Sequence, residues 1–214
     1  REFVDDLATR IIAPDVNAPS VCLLDFGVHS QHPLLRPLIT DEDAQTFDPT
    51  WSAVDHTNSH GTEMAGLAIF GDKLPELLAN NQPVNLTHRL ESIRMLHSSQ
   101  PHPKNIWGYV TQECLAKAET QAPRRNRVAC MAVTANDEGR DHGYPSSWSG
   151  AIDQHSAGQD DDFRRLYVIA AGNIRDIMAN STYRYPDSNF SKSIEDPAQS
   201  WNALTVGAYT DRVQ

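Results

Sequence analysis

Four short runs of almost continuous apolar residues limit how this chain can fold. They are "SVCLLDFG" (20–27), "RVACMAV" (127–133), "LYVIAAGN" (166–173) and "NALTVGAY" (202–209). Each is too short for an ordinary helix and too uniformly apolar for a surface strand, so each reads as a strand buried on both faces. Segments of helical character separate them. "GTEMAGLAIFG" (61–71) is dense in small residues, and Gly61 and Gly66 fit a helix lying close against a sheet. Over 106–120, Ile106, Val110, Cys114 and Ala118 recur every four positions, with Trp107 and Leu115 widening the stripe. "SSWSGAIDQHSA" (146–157) reads as a helix capped by Ser146 or Ser147. A short amphipathic helix is predicted over "REFVDDLATRIIAP" (1–14), a strand over "HRLESIRML" (88–96), and loop over 30–59. Alternating strands and helices specify an α/β fold: a mostly parallel β-sheet with helices on both faces, joined by right-handed crossovers. Functional groups in such sheets collect beyond the carboxyl ends of the strands. Asp25, the Thr134 loop and Asn173 stand at such ends.

Composition narrows the function classes. Formal charge is −10, which argues against nucleic acid as a partner, because phosphate binding needs clustered Lys and Arg. The one basic cluster, "APRRNR" (122–127), reads as a solvated loop. No apolar run approaches the length of a membrane span. Three cysteines, Cys22, Cys114 and Cys130, cannot all pair, and they read as buried thiols of a reducing compartment.

Three strings carry chemistry: "LLDFG" ending in the turn after Asp25, "HGTEMAG" opening on His60, and "AAGN" closing on Asn173. Together and in this order they resemble the subtilisin-like serine peptidases, or subtilases. In that family an aspartate follows an apolar strand in a D-x-G turn, a histidine opens a helix in H-G-T-x-x-A-G, and an asparagine closes A-A-G-N. Asp before His is also the order known for subtilisin. The resemblance implies a subtilisin-like fold and an Asp25–His60 pair that activates a serine, with Asn173 as oxyanion donor. It also implies that Ala132, Val133, Thr134 and Ala135 present a strand edge to a peptide or protein substrate. Val133 and Thr134 would flank the first specificity pocket, with Ala170, Ala171 and Gly172 as its other wall. The family's S-L-G is here Ala132, Val133, Thr134, and the threonine should narrow that pocket.

Other departures bear on the same reading. Phe26 replaces a small residue, and Glu63 stands where a second histidine is common, one turn from His60, where its carboxylate would raise the imidazole pKa. "GDKLPELLANNQPVNLTH" (71–88) does not resemble the family's calcium loop, so no metal and no cofactor is expected. The nucleophile string G-T-S-x-A-x-P does not occur. Residues 18–214 are therefore expected to form a partial catalytic domain, after a lead-in of residues 1–17, that stops before the serine and is inactive alone. Polar insertions favour an intracellular, bacterial-type subtilase in the cytoplasm. By analogy within that group, an AAA-type ATPase is an expected partner. Two rival readings stay open. One is a zinc hydrolase using His29, His32, His56, His60 and the H-x-x-E of "HGTE". The other is a subtilase scaffold that binds peptides without cutting them.

Overall fold

The computed structural model describes residues 2–135, 144–173 and 193–208. The chain divides into two compact units, residues 1–130 and 131–214. In chain order the elements are α1 (Glu2–Arg10), β1 (Ile11–Ile12), β2 (Ser20–Asp25), β3 (Ala44–Thr46), α2 (His60–Phe70), α3 (Leu74–Ala79), β4 (Val84–Asn85) and β5 (Arg89–Arg94). They continue with α4 (Trp107–Gln121), β6 (Arg127–Met131), α5 (Ser147–Ala157), β7 (Tyr167–Ala170) and β8 (Leu204–Val206). The polar loop at 134–145 lies mostly outside the described residues. Among the described residues, no helix is long and apolar enough to cross a membrane.

In the first unit the strands run in the order β3-β5-β2-β6, and every pair is parallel. A parallel sheet must be covered on both faces. Strand alternation shows how β2 meets that demand. Val21 and Leu23 join a core formed with Ala65, Ile69 and Phe70 of α2 and Leu7 of α1. Cys22 and Leu24 point the other way, toward the buried stripe of α4: Val110, Thr111, Cys114, Leu115 and Ala118. Ile106 belongs to a short 3-10 turn ahead of α4. Thr111 takes the buried place expected for Trp107, with its hydroxyl bonded to the Trp107 carbonyl. Each fully buried Leu or Ile here contributes about 1.5–3 kcal/mol. Cys22 and Cys114 are buried free thiols, and burial pushes both pKa values up.

The stretch predicted as loop over 30–59 contains structure. Residues 44–46 add an edge strand on β5. The 71–88 stretch forms a helical turn, α3 and β4, and β4 pairs with β1. Gly66 also departs from expectation: a Cβ there would meet nothing within 4 Å, so close packing of α2 does not depend on it.

The basic cluster at 122–127 is not a solvated loop. Arg125 is buried, and its Nη1 contacts Asp43 at 2.7 Å and Glu91 at 2.8 Å. Arg127 Nε contacts the other Glu91 oxygen at 2.9 Å. Asp43 and Glu91 are each 1% exposed. Charges this deep are tolerated only when paired and hydrogen-bonded, and the guanidinium forks supply both. Glu91 lies mid-strand, and its arginine partners arrive from the α4–β6 turn and the start of β6, while Asp43, just ahead of β3, shares Arg125.

The second unit is built around α5 and the parallel pair β7–β8, which registers Val168 on Leu204 and Ala170 on Val206. Trp148, Ile152, Tyr167, Ile169 and Ala198 are buried. Ser146 is the N-cap of α5, its hydroxyl accepting the Ser149 N–H at 2.9 Å while its own N–H bonds Ser149 Oγ at 2.8 Å. The same hydroxyl donates to buried Asp196. Asp153 ties the far side of α5 to Ser200 and Asn202.

Arg125→Ala strands the buried Asp43 carboxylate. It is expected to cost about 3–5 kcal/mol in urea unfolding, and a loss under 1 kcal/mol would mean that the cluster is not structural.

Candidate active site

Asp25 is the last residue of β2, and it shares a face with Val21 and Leu23. That is the face α2 covers, and His60 is the first residue of α2. His60 Nδ1 lies 3.0 Å from Asp25 Oδ1 and 2.9 Å from Oδ2. The Asp25 side chain is 2% exposed and that of His60 is 41%. An ionised carboxylate can only accept, so Nδ1 carries the proton and Nε2 the lone pair. Burial pushes the Asp25 carboxyl above its ordinary value, while the bonds from His60 and from the Phe26 N–H draw it back. The arrangement is an oriented imidazole base, exposed at one end and fixed at the other.

Two glycines make the approach possible. A Cβ on Gly61 would lie 2.3 Å from the Gly27 carbonyl oxygen, so the start of α2 rests backbone on backbone against the turn after Asp25. Gly27 has φ +88°, and a Cβ there would meet the Ala53 carbonyl oxygen at 2.1 Å. Gly27 also forms an antiparallel bridge with Val54. His29 N–H donates to Thr62 Oγ1 at 3.0 Å, adding a second tie between the turn and α2.

The loop leading into His60 is held by residues that sequence reading missed. Asp55 Oδ1 accepts the Thr57 N–H and hydroxyl, and Oδ2 accepts Arg94 Nη2 at 2.8 Å and the Ser98 hydroxyl at 2.7 Å. Arg94 Nη1 also donates to the carbonyls of Ser52 and Val54. The Asp55 N–H bonds the Phe26 carbonyl. Asn58 then forms an Asx turn into α2, its Oδ1 accepting the His60 N–H at 3.0 Å. D-H-T-N before the helix is an Asx-turn pattern, which was a usable local signal. The Arg94 partner, 39 residues away, was not.

The expected substrate residues fall in the second unit. Ala132, Val133, Thr134 and Ala135 are half-buried, as are Ala170 and Ala171, while Gly172 and Asn173 are exposed. The Ala135 N–H is taken by the Asp196 carbonyl at 2.8 Å, so Ala135 is not part of an open strand edge. Gly172 has φ +130°.

Glu63, one turn into α2, accepts the Ser59 hydroxyl at 2.6 Å. Among the described residues, no three His, Cys, Asp or Glu side chains come together as a metal site. His29 and His56 meet edge to face at 6.3 Å, and His60 is committed to Asp25. The geometry gives the zinc reading no support.

The hydroxyls of Thr57 and Ser98 hold the Asp55 carboxyl well below its ordinary value. A depressed folded value means that Asp55 stabilises fully above about pH 4 and loses this contribution as pH falls below it. Asp55→Asn should therefore lower Tm at pH 7, with the gap to wild type narrowing below about pH 4. A gap constant from pH 7 down to pH 3 would contradict this.

Comparison with known proteins supplies the family. The subtilase family profile matches residues 17–214. No curated protein matches the chain. With the profile spanning most of the sequence, and with an α/β fold of parallel strands and helices, the chain belongs to the subtilase family of serine peptidases.

Proposed function

We propose that this chain carries the Asp–His part of a serine endopeptidase site, with Asp25 orienting His60 and Asn173 serving as oxyanion donor. The observation that supports it is the pair of 2.9–3.0 Å contacts between a buried carboxylate and the inner nitrogen of a half-exposed imidazole. In the reaction this supports, a serine hydroxyl attacks the peptide carbonyl as His60 Nε2 takes its proton. The C–N bond then breaks, and the same nitrogen returns the proton to the leaving amine. Asp25 keeps Nδ1 protonated and stabilises the imidazolium that forms between the two steps. A side-chain amide from Asn173 aimed at the oxyanion would hold the tetrahedral intermediate. Water then repeats the sequence on the acyl-enzyme.

The test uses the full-length gene product. Asp25→Asn and His60→Ala should lower kcat by about 10⁴-fold or more, the scale set by subtilisin's own triad. Asn173→Ala should cost about 10²–10³-fold, as for subtilisin's own asparagine, with the fold unchanged by circular dichroism. A fluorophosphonate probe should label one serine in the wild type and much more slowly in His60→Ala. Equal labelling and turnover in wild type and His60→Ala would defeat the proposal.

A further inference from the structure

Glu195 stands between the two stretches read as walls of the first specificity pocket. Its backbone N–H donates to the Ala171 carbonyl at 2.8 Å, and the next residue's carbonyl accepts the Ala135 N–H. Its side chain reaches both stretches. One oxygen, Oε2, accepts the Thr134 hydroxyl and, at 3.2 Å, the Asn173 N–H. Gly172 makes room for it: a Cβ there would lie 2.7 Å from Glu195 Cγ. Thr134 therefore holds a carboxylate beside these stretches.

Among the described residues no Lys or Arg pairs with Glu195, whereas Asp43, Asp55 and Glu91 each have an arginine. Glu195 is half-buried. An ionised carboxylate offers about four acceptor positions, and its two donors among the described residues are neutral and share one oxygen. A partly desolvated anion with capacity left over favours a cation that brings its own N–H donors. Asp196 does not compete for this role, since it is buried and bonded to Ser146.

We infer that Glu195 is the residue that sets specificity, making the first pocket a cation-accepting site that takes a lysine or arginine side chain on the acyl side of the cleaved bond. This rests on the peptidase reading above. The rival role is positional: Glu195 would merely brace Thr134 against the Asn173 backbone. The two differ in what they predict. A brace affects all substrates alike, while a charge partner affects cationic ones selectively.

The experiment measures kcat/KM of the full-length protein on peptide anilides that differ only in the residue before the bond: lysine, arginine, methionine, leucine or glutamate. The wild type should favour lysine over methionine, which has similar length and no charge, by about 10- to 100-fold, the range for a charge-assisted hydrogen bond. In Glu195→Gln that ratio should collapse toward one. A wild-type ratio near or below one overturns the inference, as does an equal loss on every substrate in Glu195→Gln. The wild-type ratio alone decides if the variant fails to fold. If no peptide is turned over, anisotropy binding of the same peptides separates the two ideas. Lysine-selective binding lost in Glu195→Gln keeps the pocket and removes the peptidase reading, while binding without charge selectivity removes the pocket.

Discussion

The first unit depends on a close backbone approach: a Cβ on Gly61 would lie 2.3 Å from the Gly27 carbonyl oxygen. No side chain fits between them. The turn after β2 and the first residue of α2 are thereby locked at backbone distance, and the carboxylate of one element faces the imidazole of the other. Hydrogen bonding alone would not set this geometry, because a histidine side chain can reach from several helix positions. The steric demand removes that freedom. A catalytic base misplaced by about 1 Å can lose about 10²-fold in rate, so a rigid approach matters more than the bond it permits.

Charge does comparable work away from the dyad. Arg94 ends β5 and gathers the carbonyls of Ser52 and Val54 together with the Asp55 carboxylate. That fixes the loop from which α2 departs. Arg125 and Arg127 do the same at the other end of the sheet, around Glu91. In both places a buried arginine joins segments distant in sequence, and it brings enough donors to satisfy carbonyls and carboxylates at once.

Much of this could be read in the sequence because the signals were local. The apolar runs located β2, β6, β7 and β8, although Leu204 and Val206 of β8 are exposed rather than buried, and the D-F-G and H-G-T strings put Asp25 and His60 on the right elements. Other features were hidden because their partners lie far along the chain. "APRRNR" looks like any exposed basic turn until Asp43 and Glu91 are seen beside it. Glu195 sits in an unremarkable polar stretch, and only its bond to Thr134, 61 residues earlier, marks it. Gly66 matched a small-residue pattern whose packing need was met by Gly61 alone.

The buried thiols carry a consequence of their own. Cys22 sits in the central strand and Cys114 on the helix across from it, and burial keeps both protonated. Only a thiolate attacks an electrophile, so an alkylating reagent meets inert sulfur until strand and helix separate. These two atoms are thus built-in clocks for the opening of the first unit, silent in the native state and running only when its interior is breached.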